Sequence, residues 1–188
     1  MMNMLYAGYQ NPISVSVPGV PVNKINATMS GGSLTKKGDG SYVAVPIQVG
    51  SEVVITVTAE NEGRQQEMGK FPFKVRKLPD PSPFMEIKDA QGNINRYKGS
   101  APLSKASLLA TKGIGAAIDD GLLDIAFRVT GFETTFFDNM GNAVPEVSKS
   151  ADFTDRQRAQ FRNLTRGKRF YVSRVHAIGP DGIGRVLS

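Results

Sequence analysis

Residues 53–59 read Val-Val-Ile-Thr-Val-Thr-Ala. Val53, Ile55, Val57 and Ala59 fall on one side of an extended chain, Thr56 and Thr58 on the other, and this alternation of β-branched residues predicts a half-buried strand. Similar runs stand on either side. Ile13, Val15 and Val17 alternate with Ser14 and Ser16 before Pro18-Gly19-Val20-Pro21; Lys24–Met29 runs to Gly31-Gly32; Ser41–Val45 follows Gly38-Asp39-Gly40; Phe71, Phe73 and Val75 alternate with Lys74 and Arg76. Strands repeating every 10–15 residues or so, with glycine turns between them, predict an immunoglobulin-like β-sandwich.

The sandwich pattern stops at Leu78-Pro79-Asp80-Pro81-Ser82-Pro83. Three closely spaced prolines predict a stiff extended connector, so the boundaries read 1–79 for the first domain, 80–83 for the connector and 84–188 for the second domain. Beyond it, Ser104 is placed to cap a helix to about Thr111, with Leu103 and Leu108 as a staple and Gly113 as its stop. Leu122–Gly131 and Glu133–Phe137 read as strands, the first apolar on one face through Leu123, Ile125, Phe127 and Val129. Thr154 and Gln157 have capping-box spacing for a helix over about Asp155–Leu164, with Gly167 to end it. Phe170–Ile178 reads as a strand and Gly179-Pro180-Asp181-Gly182 as a turn. The fold expected is mainly β: two tandem domains, an immunoglobulin-like β-sandwich followed by a β-rich domain with two short helices.

Composition narrows the chemistry. The 188 residues include 20 glycines and 11 prolines but no cysteine, which removes disulfides, thiolate metal sites and a thiol nucleophile. No apolar run approaches the roughly 20 residues of a membrane helix, so the chain is expected to be soluble. His176 is the single histidine and sits in a strand pattern, where a structural role is expected. Gly-Xaa-Ser-Xaa-Gly does not occur, and Gly113-Ile114-Gly115 lacks both the third glycine and the preceding strand of a dinucleotide fingerprint. Asp119, Asp120 and Asp124 do not have EF-hand spacing and read as turn residues. No catalytic residue, metal ligand or cofactor is expected.

One charge feature stands out from the formal net charge of +6. Between Arg156 and Arg174 lie seven basic residues and no acidic one. Arg158, Arg162 and Arg166 recur at four-residue intervals and would line one helix face, with Phe161 and Leu164 toward the core and Lys168 and Arg169 at the rim. This is either a docking surface for an acidic partner or phosphate, or a solvated helix face. The run lacks the interleaved aromatics of a nucleic-acid platform, so no nucleic-acid partner is expected.

The run Asn11–Pro21, then Met68-Gly69, Phe73-Lys74-Val75-Arg76-Lys77-Leu78-Pro79-Asp80-Pro81, and last Gly179-Pro180-Asp181-Gly182 with Arg185 resemble the C-terminal periplasmic half of the GldM/PorM family of gliding motility and type IX secretion. The resemblance implies a non-enzymatic, periplasmic, homodimeric shaft segment. It implies an inner-membrane anchor through an N-terminal helix, absent from this chain, that pairs with GldL/PorL, and a far end reaching the GldK/GldN (PorK/PorN) ring. Under it, the prolines after the first strand blunt stray strand pairing, and the proline connector passes load instead of absorbing it. A tandem adhesion or carbohydrate-binding module is a competing reading and needs Tyr6, Tyr9, Tyr42 and Tyr97 gathered on one face. A small hydrolase using Asp119, Asp120 or Glu133 is a third and needs a carboxylate pair in a cleft.

Overall fold

The computed structural model describes residues 3–188. The chain divides into two compact units, Met1–Leu78 with Pro180–Gly182, and Pro79–Gly179 with Ile183–Ser188. Both are built mainly of strands.

The first unit contains β1 (Met4–Tyr6), β2 (Asn11–Ser14), a 3-10 turn (Val22–Lys24), β3 (Ile25–Met29), β4 (Gly32–Gly38), β5 (Ser41–Pro46), β6 (Glu52–Asn61) and β7 (Arg64–Arg76). They form a four-stranded sheet, β1-β7-β6-β3, and a three-stranded sheet, β2-β5-β4, with β1 parallel to β7. The alternation in β6 is obeyed: Val53, Ile55, Val57 and Ala59 are all buried. The register continues it onto β3, where Ile25, Ala27 and Met29 stand opposite Ala59, Val57 and Ile55. Leu5, Ala7, Ala44, Val53 and Val75, drawn from both sheets, form one core cluster, and Ile25, Ile55 and Val57 form a second.

The opening strand is shorter than its pattern. β2 ends at Ser14, yet Val15 and Val17 still pack beside Ile13 on the second cluster. The Val15 N–H donates to the Gly40 carbonyl at 2.8 Å, and Pro18 then supplies no N–H with which a ladder could continue. Asn11 holds the corner from a buried position: its Nδ2 donates to the carbonyls of Tyr6, Tyr9 and Ala44 at 2.9, 2.9 and 3.0 Å, and its Oδ1 accepts the Tyr6 N–H. Asp181 is also buried and accepts the Leu78 N–H at 2.8 Å. Several residues that carry the family resemblance are thus joints of the fold.

The second unit contains β8 (Ser82–Lys88), β9 (Ile94–Tyr97), α1 (Lys105–Ala110), β10 (Gly115–Asp119), β11 (Asp124–Phe137), β12 (Ala143–Ser148), α2 (Asp155–Asn163), β13 (Tyr171–Ile178) and β14 (Gly184–Leu187). One seven-stranded sheet runs β14-β13-β11-β10-β8-β9, with β12 also paired to β11. Several expectations need correction here. The proline run is only partly a connector: Pro81 is buried, and Ser82 and Pro83 open β8 opposite Ala117 and Ala116. Pro83 is tolerated because pairing with β9 begins only at Met85. The two strands expected over 122–137 are one strand, bent by register shifts on either side of Gly131. Gly113 does not stop a helix: it bridges Asp152 in extended pairing, and a Cβ there would lie 2.0 Å from the Ala151 carbonyl oxygen.

This unit is also an internal repeat. β8 lies between β9 and β10, and β10 pairs with the first part of β11; the last part of β11 lies between β12 and β13, and β13 pairs with β14. The two hairpin turns have matching sequences, Asp89-Ala-Gln-Gly92-Asn93 and Asp138-Asn-Met-Gly141-Asn142. In the first, Asp89 Oδ1 accepts the N–H groups of Gln91 and Asn93; in the second, Asp138 Oδ1 accepts those of Met140 and Asn142. Gly92 and Gly141 both adopt φ of 83°. The registers superpose: Glu86 faces Arg96 where Thr135 faces Pro145, and Lys88 faces Ile94 where Phe137 faces Ala143. Each copy then enters a helix through a hydroxyl N-cap, Ser104 or Thr154.

Candidate docking surface around the second helix

The capping box of α2 is complete. Thr154 Oγ1 accepts the Gln157 N–H at 3.2 Å, and Gln157 Oε1 accepts the Thr154 N–H at 2.9 Å. Gln157 is fully buried, and its Nε2 donates to Thr134 Oγ1 at 2.9 Å and to the Glu146 carbonyl at 3.2 Å. One turn on, Phe161 is also fully buried, with ring centroids 4.7 Å from Phe153, 5.2 Å from Phe170 and 5.6 Å from Phe136. Edge-to-face and tilted rings add to the burial itself, so these contacts fix the helix on the sheet as a rigid platform.

The basic residues of this region separate into three roles. Arg158 points back into the protein, where its guanidinium donates to the carbonyls of Thr111 and Lys112, in the extended segment just after α1, at 3.4 and 3.1 Å. Arg156 lies 3.9 Å from Glu146 with its side chain 83% exposed, a weak surface pair. Arg162, Arg166, Lys168 and Arg169 are exposed, and among the described residues none of the four has a carboxylate within ion-pair distance.

The continuous stripe expected from the spacing is not formed. α2 ends at Asn163: Leu164 takes extended backbone angles and its N–H returns to the Phe161 carbonyl at 3.2 Å. Lys105 caps this end by donating its ammonium to the carbonyls of Arg162 and Leu164, one turn before Gly167. Arg166 therefore lies beyond the helix with Lys168 and Arg169, around a turn in which the Lys168 N–H bonds to Thr165 and Gly167 has φ of 81°. Only Arg158 and Arg162 share the helix, and Arg158 is occupied.

The other candidate residues are accounted for by structure. Asp119 receives Lys98 at 2.8 Å and Arg96 at 3.2 Å, and these hydrogen bonds hold its carboxyl below the usual carboxylate range. Asp120 accepts the N–H groups of Leu123 and Leu122, with the same effect on its carboxyl. Asp124 is exposed at the start of β11, Glu133 is half-buried on that strand, and His176 is exposed on β13. No group of three or more histidine, cysteine or acidic residues among the described residues could hold a metal. Of the tyrosines named for a sugar-binding platform, Tyr42 is buried and Tyr6 and Tyr9 pack edge to face.

Sequence reasoning missed two features of this region. One is Lys105, whose role depends on a fold that brings α1 beside α2. The other is Arg174, which sits in β13 with φ of 49°, left-handed for a residue other than glycine, beside the register shift at Gly131. Among the described residues no helix is long and apolar enough to cross a membrane.

Comparison with known proteins agrees with these units. A family model described as the GldM third domain matches residues 1–76, and one described as the GldM C-terminal domain matches residues 79–188. No curated protein matches the chain. With consecutive domains of one protein accounting for both units in order, the chain belongs to the GldM family, the membrane-anchored periplasmic component of the gliding-motility and type IX secretion machinery.

Proposed function

We propose that this chain is a non-enzymatic periplasmic shaft segment of the GldM motor, homodimeric, that links the GldL/PorL-coupled inner-membrane motor to the GldK/GldN (PorK/PorN) ring. In this reading residues 1–79 are an immunoglobulin-like shaft domain, and 84–188 form the terminal domain that meets the ring. The observation that carries the reading is the match of both units, in order, to the third and C-terminal GldM domains. The cations free to meet a partner are Arg162, Arg166, Lys168 and Arg169, held beside a helix that cannot shift without breaking the Gln157 and Phe161 contacts.

The test is binding of the purified chain to purified ring proteins, with sedimentation to read its oligomeric state. Reversal of Arg162, Arg166, Lys168 and Arg169 to glutamate is expected to weaken binding at least about tenfold and to flatten or invert its salt dependence, since the attraction that salt screens is gone, with the fold retained. Arg158→Glu is the contrast: it should destabilise the fold, since it removes the bonds to Thr111 and Lys112. A chain that fails to bind any ring protein overturns the shaft reading; unchanged binding by the charge-reversed chain removes these four residues from the contact.

A further inference from the structure

The face of the β12-β11-β13 sheet opposite α2 is more apolar than a solvated sheet face. Thr134 and Phe136 point toward α2 and are buried; Glu133, Thr135 and Phe137 point the other way. The register sets Val147 beside Glu133, Pro145 and Tyr171 on the two sides of Thr135, and Ala143 beside Phe137. Val147 is 59% exposed, Tyr171 54% and Phe137 48%, and the Phe137 and Tyr171 rings meet edge to face at 6.0 Å. The internal repeat supplies a comparison. At the positions of Thr135, Phe137 and Pro145 the first copy carries Glu86, Lys88 and Arg96, and at that of Ala143 the exposed Ile94, so this architecture accepts charged residues where the second copy has Phe137.

We propose that this face docks an acidic segment of another protein that carries at least one large apolar side chain, with Phe137, Tyr171 and Val147 as the apolar seat and Lys168 and Arg169 as the basic rim. Arg169 stands two residues before Tyr171, and Phe170 between them turns inward to stack on Phe136 at 5.2 Å. Neither Lys168 nor Arg169 has a carboxylate partner among the described residues. Glu133 is the one acidic side chain within the seat; the Asp138 carboxylate at its end already accepts the N–H groups of Met140 and Asn142. Charge selects the occupant: at this face a second copy would set an identical basic rim against Lys168 and Arg169, whereas an acidic segment is attracted, which leaves the proposed homodimer to other surfaces. The mode of docking follows from Pro145, which stands in the middle of edge strand β12 and discourages extension of the sheet by a further strand, so the partner lies across the face. An apolar centre with a charged rim is the usual arrangement of a specific interface.

This deepens the preceding reading by moving the contact from the helix to the sheet, and the two are tested separately. A photo-crosslinking phenylalanine is placed singly at Phe137, Val147, Arg162 and, as a control on the first unit, Ile47, which is 74% exposed. The experiment is done in the cell that makes the protein, and the crosslinked segment is identified by mass spectrometry. Crosslinks from positions 137 and 147 to a segment that is net acidic and bears a large apolar residue are expected, with yield reduced at least about fivefold by Lys168→Glu with Arg169→Glu. Crosslinks from those positions to a second copy of this chain, to a neutral or basic segment, or to nothing overturn the proposal, as does a yield indifferent to the charge reversal. A ring protein captured from position 162 alone leaves the ring reading standing and sinks this one. An acidic segment of a protein outside the ring, captured at 137 and 147, does the reverse.

Discussion

Replacing Gln157 tests whether one buried amide ties α2 to the sheet. Its side chain makes three hydrogen bonds, to Thr154 N–H, Thr134 Oγ1 and the Glu146 carbonyl. Gln157→Ala removes all three, at a net of about 1 kcal/mol each, and leaves a small cavity where the Cγ methylene and the carboxamide stood, worth about 1–2 kcal/mol more. The better helix propensity of alanine returns a few tenths. The second unit should therefore lose about 3–5 kcal/mol, read from hydrogen exchange of the β11 and β13 amides, which report this unit separately from the first. Gln157→Glu keeps the volume and sharpens the test. As a neutral acid it still donates one bond; as a carboxylate it faces the Glu146 carbonyl with no proton to offer, so burial raises its pKa in the folded state. With the folded pKa raised, its best stability lies below the unfolded pKa of about 4.3 and is lost, at about 1.4 kcal/mol per pH unit, as pH rises toward the folded value. A loss under about 1 kcal/mol for Gln157→Ala, or a Gln157→Glu profile parallel to wild type between about pH 4 and 7, would refute the reasoning.

Further predictions concern the repeat and its turns. Gly113→Ala forces a Cβ to within 2.0 Å of the Ala151 carbonyl oxygen and should disrupt the paired hydrogen bonds Ile114 N–H to Ala151 and Phe153 N–H to Lys112, lowering the melting temperature of the second unit by about 10 °C or more. The Asp89 and Asp138 carboxyls are held below the usual carboxylate range, first by the N–H groups of Asn93 and Asn142 respectively. Because their folded pKa values are depressed, the stability they supply is present above the unfolded pKa of about 4 and is lost as pH falls through the folded values. The double variant Asp89→Asn with Asp138→Asn should accordingly show a flatter acid limb in a stability titration from about pH 5 to 2, and an unchanged limb would refute the assignment.

Where burial alternates, the sequence was a sufficient guide. β6 and β5 are readable because each buries every second side chain, β3 because Ile25, Ala27 and Met29 share its inner face, and α2 because its capping box is local chemistry. β4 was missed because Ser33-Leu34-Thr35 offers one apolar residue, and the outer half of β7 because Arg64–Lys70 offers only Met68 and is held by pairing to β6 alone. β10 was missed for the opposite reason: Ala116, Ala117 and Ile118 are all buried, so no alternation marks them. The repeat was written in the two Asp-Xaa-Xaa-Gly-Asn turns, but the strands around them have diverged too far for hydropathy to reveal it. In the candidate surface the charge count was legible and the allocation was not, because Arg158 and Lys105 are spent on carbonyls that only the packing of α1 beside α2 brings within reach. The apolar face lay hidden for a related reason, since Val147, Phe137 and Tyr171 come from three strands and become neighbours only through register.

The strand shared by both copies of the repeat bears on how the second unit responds to a pull. β11 is the last strand of one copy and the first of the other, with no loop between the two roles. Tension that peels either copy from β11 bares the flank on which the other depends, so neither can open as a reserve while its twin holds. Stretched from its ends, this unit should give way in a single rupture, with no half-open plateau at which extension could be gained cheaply. For the shaft segment proposed above, that is the property of a rod and not of a spring.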